Sequence, residues 1–330
     1  MVNEFIGKTI LVTGGTGSVG SELVMQILRF NPKQVRVLSR NETRQYNLLE
    51  KLKYPKNLSM LIGDIRDRDR LQLAFKGVDV VFHTAALKHV PFCEYNPSEA
   101  MKTNIIGSHN IIDAALHNGV QKVIAISTDK VANPFNVLGV SKLMMEKLFI
   151  NSNFYLSDKI KLSCVRFGNV AWSDGSVLTM WKKQAEVGGK IKVTNKDATR
   201  FFMSIQQSIK LILKASQLSQ GGEIFILKMP SASMGDLANI FIKKYYPRGN
   251  IKIKYIGDRA GDKLHEDLAG DNDWNKEIWS NKEMFVLVPT SSIHNLDFAP
   301  RFYDGFEKIG TDLKFSSSDN INVKKIEKII

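Results

Sequence analysis

Only two cysteines, Cys93 and Cys164, stand in the 330 residues, and neither belongs to a CxxC pair or a Cys/His cluster. A disulfide framework and a zinc site are therefore not indicated, no metal is expected, and both residues read as buried thiols. No stretch approaches the roughly 20 uninterrupted apolar residues of a membrane span. The opening MVNEFIGKTILVTGG also lacks the apolar core of a signal peptide, so the expectation is a cytoplasmic protein with no membrane partner. Low-complexity tracts, a collagen period and solenoid repeats are missing, which excludes fibrous and array architectures. Acidic residues are outnumbered, 33 Asp and Glu against 46 Lys and Arg, for a net charge of +13. The lysines are scattered and no nucleic-acid module is visible. The excess reads as a basic surface suited to small anionic substrates, not to nucleic acid.

What is present is an ordinary globular balance, 43% hydrophobic and 24% charged. The length suits two domains, or one doubly wound domain with a substrate-binding extension. KTILVTGG reads as a buried strand breaking into a glycine turn, and SELVMQILRF has helical apolar spacing. QVRVLSR, LSMLIGD, VDVVFHTAA and VQKVIAIST follow as short β-rich runs separated by helical stretches. This alternation predicts an α/β fold: a Rossmann-type doubly wound parallel sheet with a smaller C-terminal substrate-binding domain. Residues 1–165 are expected to bind NADP and 166–330 mainly to bind substrate, with a strand near 222–228 returning to the sheet. From about Pro230 the chain reads as loop-rich, and most substrate contacts are expected there.

In TGGTGSVG, Gly14, Gly17 and Gly20 are spaced by three between the first strand and its helix. A helix N-terminus in that place accepts a pyrophosphate. Thr16, Ser18 and Val19 complete the loop. An acidic residue ending the second strand would favour NAD, whereas Ser39 and Arg40 stand there, with Arg44 one helical turn on. These residues predict NADP, with NAD as the alternative. Asp64 sits after the third strand, either beside the adenine ring or as a helix N-cap. His83 reads as a core histidine.

The fifth strand ends in Ser127, Thr128, Asp129 and Lys130, at the sheet edge where doubly wound folds bind ligands. Lys142, twelve residues beyond Lys130, falls on the next predicted helix; taken alone it would be a surface lysine, but in register with the glycine loop it reads as catalytic or ribose-binding.

The strings TGGTGSVG, AALKHVPFCEYNP, STDKVANPFNVLGVSK, VRFGNVAWSDGSV and GDRAGDKLHEDL, in this order over nearly the whole chain, resemble the UDP-N-acetylglucosamine 4,6-dehydratases, inverting type, of polysaccharide biosynthesis. The resemblance implies a bound nicotinamide that takes hydride from carbon 4 of the hexose and returns it to carbon 6. It assigns the base at carbon 5 to Lys130 and the acid that protonates the departing carbon 6 hydroxyl to Asp129. Both roles require pKa values shifted toward neutrality, down for Lys130 and up for Asp129. It further implies cofactor contacts from Ile65, Ala85, Ala86, Lys88 and Asn104. Substrate contacts would come from Lys88, His89, Arg166, Asn169, Ser176, Val177, Thr199, Arg200, Arg259 and Glu266. Arg200 and Arg259 suit a diphosphate because guanidinium matches phosphate oxygens bidentately, and surface salt bridges are the plainer alternative. Relatives of this kind often associate, which implies a homo-oligomer, hexamer or dimer.

One departure stands out. Short-chain dehydrogenases usually carry a tyrosine four residues before the catalytic lysine, and this chain has Leu138. Deprotonation of the carbon 4 hydroxyl then falls to Lys142, Lys130, Thr128 or water. The competing expectations are a retaining or ene-releasing dehydratase, a GDP-sugar dehydratase, a 4-epimerase, and an inactive homologue that binds NADP and a nucleotide sugar.

Overall fold

Apolar β-branched runs order the chain first. β1 (Thr9–Thr13), β2 (Gln34–Ser39), β3 (Leu58–Ile62), β4 (Val80–His83), β5 (Lys122–Ile126) and β6 (Lys161–Arg166) are all parallel. The computed structural model describes residues 4–156, 159–270, 273, 276–289, 301–310, 313 and 315–330. Every residue of β1 and β4 is buried, because helices cover both sheet faces: α1 (Ser18–Leu28), α2 (Glu42–Lys51), α3 (Arg68–Phe75), α4 (Val90–Tyr95), α5 (Pro97–Ala100), α6 (Gly107–His117) and α7 (Val137–Leu156).

The second half leaves the sheet and comes back. β7 (Asn169–Val170), β9 (Thr199–Met203) and β11 (Ser231–Ser233) make a small sheet, while β8 (Lys190–Val193) pairs with β12 (Lys252–Tyr255). These strands, with α8 (Val177–Gly188), α10 (Met234–Tyr245) and α11 (Val323–Ile329), enclose a separate core around Trp181, Phe202, Leu237, Phe241 and Ile326. α9 (Ile205–Leu218) and β10 (Ile224–Leu227) rejoin the main body, and β10 pairs parallel with β6. β13 (Asp267–Ala269) pairs with β17 (Phe315–Ser316).

The stretch beyond Pro230 is more regular than its composition suggests. β14 (Lys276–Ser280), β15 (Met284–Pro289) and β16 (Glu307–Gly310) extend the main sheet antiparallel, giving the order β16-β14-β15-β10-β6-β5-β4-β1-β2-β3. MFVLVP of β15 is buried along its whole length between β10 and β14, so sheet pairing overrides the turn-rich flanks. The strand order reverses between β1 and β4, and that switch point opens a crevice at the carboxyl ends of the strands.

Candidate active site

A cleft of about 1110 Å³ occupies that crevice. Gly14, Thr16, Gly17, Ser18, Val19 and Gly20 line one end of it. Gly14 has φ +67°, and a Cβ there would stand 2.7 Å from the Ala85 amide nitrogen; a Cβ on Gly20 would overlap the Gly14 carbonyl. The turn can therefore close only with glycine at both positions. Gly17, the residue before α1, offers no side-chain cap, leaving the helix's first amides for an anionic ligand.

Ser39, Arg40, Arg44, Asp64, Ile65, Ala85, Ala86 and Lys88 share this wall. Arg40 Nη1 is 3.8 Å from Asp64 Oδ2, and Arg66 donates to the same carboxylate oxygen at 2.7 Å. Burial alone would raise the Asp64 carboxyl, but hydrogen bonds and charge from Arg66 outweigh it and hold the group below its ordinary range. The N-cap reading of Asp64 is not met: Asp67 caps α3, accepting from the Arg70 amide at 2.9 Å. Asn104 does not line the cleft. Its buried carboxamide accepts from Leu87 N and donates to Leu87 O and Ser141 Oγ, bracing the loop after β4. His83 lies between Thr13 Oγ1 and Ser108 Oγ at 2.8 and 3.0 Å, and burial lowers its pKa to about 3, so it is a neutral core residue.

Beyond β5 the chain makes a short 3-10 turn, Asp129–Val131, capped by Thr128 and packed against β13. Asp129 Oδ1 accepts from Thr128 Oγ1 at 2.8 Å and from Lys130 Nζ at 3.0 Å. On its other side Lys130 Nζ lies 3.4 Å from Glu266 Oε1, and Arg200 Nε reaches the same oxygen at 3.8 Å. Asp129 Oδ2 and Glu266 Oε2 are buried without a hydrogen-bond partner. The expected downward shift of Lys130 is overturned. Burial would lower it, but the charges of Asp129 and Glu266 prevail, and the free protein holds an ammonium above the ordinary lysine range.

Lys142 behaves the other way. It is buried on α7, its ammonium meets Met145 Sδ at 3.3 Å, and burial lowers its pKa from 10.5 to about 8 against weak opposition from Cys164, Glu146 and Cys93. Leu138, buried one turn before it, packs with Cys93 and Ala100.

The opposite wall comes from the second half. Asn169, Ser176, Val177, Arg200, Arg259 and Glu266 line it together with Lys192, Phe202, Met234 and Ile256. Arg200 spends Nη1 and Nη2 on the carbonyls of Thr199 and Lys263, and Arg259 pairs with Asp262 at 3.1 Å. Thr199 stands behind the wall, its hydroxyl shared with His265 Nδ1 and Ser317 Oγ. A contact missed in the sequence is Asp174. Its amide donates to Ser18 Oγ at 2.8 Å, its carbonyl accepts from Lys88 Nζ at 2.5 Å, and its carboxylate lies 3.8 Å from Arg44. Gly175 follows at φ +68°, where a Cβ would meet His89 Cε1 at 2.5 Å. The 173–176 segment is thus a strap from the substrate wall to the glycine loop. An SDG turn after an aromatic residue was the available signal.

Arg166 is the clearest correction. Its side chain is 0% exposed and absent from the cleft. Nε and Nη2 donate to Glu146, Nη1 and Nη2 to Asp273, and Nη1 also to the Leu268 carbonyl. It ties β6 to α7 and to the segment after β13, and has no donor left for substrate.

A parallel core ordered 3-2-1-4-5-6 with a glycine turn at β1 defines an extended short-chain dehydrogenase fold. A family model described as polysaccharide biosynthesis protein matches residues 10–288, and the chain belongs to that family. It is 50% identical over 296 residues to a Methanocaldococcus jannaschii protein described as an uncharacterized membrane protein, covering 87% of each chain. The UDP-N-acetylglucosamine 4,6-dehydratase (inverting) of Campylobacter jejuni is 42% identical over 272 residues, 82% of this chain and 79% of that one. A UDP-glucose 4-epimerase from Rickettsia akari is 36% identical over 333 residues, covering 99% and 96%. The X-ray structure of Pen from Bacillus thuringiensis superposes with a TM-score of 0.91 at 36% identity, covering 99% of this chain and 98% of that one. Among the described residues, no helix is long and apolar enough to cross a membrane.

Proposed function

We propose that this protein is a 4,6-dehydratase of UDP-N-acetylglucosamine that inverts carbon 5. The observation that carries the reading is buried Asp129 paired with half-buried Lys130 beside a cleft that runs from a glycine loop to Arg200 and Arg259. Such a pair supplies the base and acid that removal of a proton from carbon 5 and of water from carbon 6 require. A nicotinamide dinucleotide, when bound, supplies a carrier that accepts a hydride from carbon 4 and gives it back to carbon 6. The Gly14–Gly20 turn and the uncapped start of α1 fit its pyrophosphate, and Arg40 and Arg44 beside Ser39 favour NADP over NAD.

Proton removal from the carbon 4 hydroxyl is assigned to Lys142. Leu138 has no proton to move, and the Thr128 hydroxyl is committed to Asp129. With a pKa of about 8, Lys142 supplies an appreciable amine fraction near neutrality. Arg200 and Arg259 are the proposed diphosphate contacts. The similarity to a 4-epimerase across 99% of the chain supports a second reading, which product mass separates. Protein incubated with the substrate in deuterated water should yield a product one water lighter carrying deuterium at carbon 5, seen by mass spectrometry and proton NMR. Unchanged mass with inversion at carbon 4 would establish the epimerase, and unaltered substrate over protein with dinucleotide bound would sink the substrate assignment.

A further inference from the structure

Under the reading above, Lys130 must be an amine when it meets the carbon 5 proton, and Asp129 must be an acid when the carbon 6 hydroxyl departs. The folded cluster opposes the first requirement. Asp129 Oδ1 at 3.0 Å and Glu266 Oε1 at 3.4 Å flank one ammonium, and the two carboxyl side chains are 0% and 3% exposed. Each keeps one buried oxygen without a hydrogen bond, a costly arrangement for two ionised carboxylates. Arg200 Nε stands 3.8 Å from Glu266 Oε1, beyond hydrogen-bonding reach, and the remaining donors of the cations facing Glu266 are committed elsewhere. Arg200 Nη1 and Nη2 are held by the carbonyls of Thr199, Leu264 and Lys263, and Lys263 Nζ donates to the Ala132 carbonyl. The Glu266 amide and carbonyl are both tied to Ser317, so its backbone is fixed. Two carboxyls and one amine are electrically neutral when they hold one carboxyl proton besides the three of the ammonium.

We propose that Glu266 is a positioning residue that switches Lys130 between ammonium and amine. In the neutral cluster Lys130 passes one proton to Glu266 Oε1: an N–H bond breaks, an O–H bond forms, and the lone pair left on Nζ is the base for carbon 5. Asp129 keeps its own proton for the departing hydroxyl. When Lys130 has returned its proton to carbon 5 it is again an amine, and the Glu266 proton goes back to it. Lys142 gains the carbon 4 hydroxyl proton and Asp129 gives one up to the departing water; Lys142 releases its proton to solvent in the cleft and Asp129 takes one back, so the cycle closes without net proton uptake. Burial pushes the Glu266 carboxyl above its ordinary range against the charges of Lys130, Arg200 and Lys263; an ionised Asp129 adds to the rise, and that addition falls away once Asp129 holds its proton. That makes it a better proton acceptor than a surface glutamate.

Glu266→Gln keeps the shape and removes the acceptor. At neutral pH its kcat for water loss should fall about 10²-fold with KM unchanged. The rate should recover as pH rises, because solvent then strips the Lys130 proton. Glu266→Asp should retain part of the rate, and Glu266→Ala should regain it with added formate. A Glu266→Gln profile parallel to that of the unmodified protein would overturn the proposal. So would a loss at every pH that formate does not repair, which would assign Glu266 to bracing its loop. The unmodified protein assayed alongside keeps the two failures apart. If it releases no water, the dehydratase reading itself is lost; if it turns over normally while the variant is unmoved, only the role of Glu266 falls.

Discussion

Two charge clusters meet β13, one through Arg166 on the Leu268 carbonyl and one through the Asp129–Val131 turn packed against the strand, and they are built on opposite principles. Around Arg166, five hydrogen bonds reach Glu146, Asp273 and the Leu268 carbonyl, so the guanidinium is saturated. Around Lys130, one ammonium serves two carboxyls, and Asp129 and Glu266 each retain an unpartnered oxygen. The first has no proton to exchange and no face on the cleft; the second has both. A saturated buried ion cluster holds elements together, whereas an under-partnered one beside a cavity is poised for proton transfer.

The contrast should break most visibly in Lys130→Ala. Product formation should fall by about 10⁴-fold, while the unfolding free energy in denaturant moves by only about 1 kcal/mol, because the two carboxyls can take protons. Arg166→Ala should do the reverse. Stranding two buried carboxylates should cost about 4 kcal/mol in the same unfolding experiment, and equal stability losses in the two variants would dissolve the distinction.

Lys142 sharpens the comparison because among the described residues its ammonium makes no ion pair, and the charge of Glu146 does not offset its burial. Its pKa lies near 8 in the folded chain against an ordinary 10.5, so between those values the unfolded chain binds more protons and stability rises with pH. Below about 8 the burial penalty is present in full. Lys142→Met should therefore be more stable than the unmodified protein at pH 7 by about 3 kcal/mol. The gap should close as pH approaches 10.5, read from denaturant midpoints across pH; a constant gap would show that Lys142 is not desolvated. The smallest effect is expected at Arg44, whose side chain is 57% exposed. Arg44→Gln should weaken NADP binding relative to NAD by about tenfold, roughly 1.4 kcal/mol by titration calorimetry.

Local pattern carried the glycine turn, the first five strands and the placement of Asp129, Lys130 and Lys142 at one sheet edge. Each of these follows from periodicity within a single βα unit. Arg166 shows where that legibility stops. Its partners lie 20 and 107 residues away, and nothing local distinguishes an arginine that clamps substrate from one consumed by the core. The protonation of Lys130 failed for the same reason, since Glu266 arrives from a loop that periodicity cannot place. β15 was hidden in a stretch whose turn-rich flanks outweighed its short apolar run, and sheet pairing with β10 rescued it.

The strap formed by Asp174 bears on how the proposed dinucleotide would be exchanged. Its amide and carbonyl tie Ser18 and Lys88, on the first and second halves of the same crevice wall, to the chain that closes over them. Opening this route means breaking both ties together, so the speed of exchange and the strength of binding become separate quantities. Under the proposed function, the dinucleotide would then sit less like a coenzyme traded with the cell at each turn than like a resident prosthetic group.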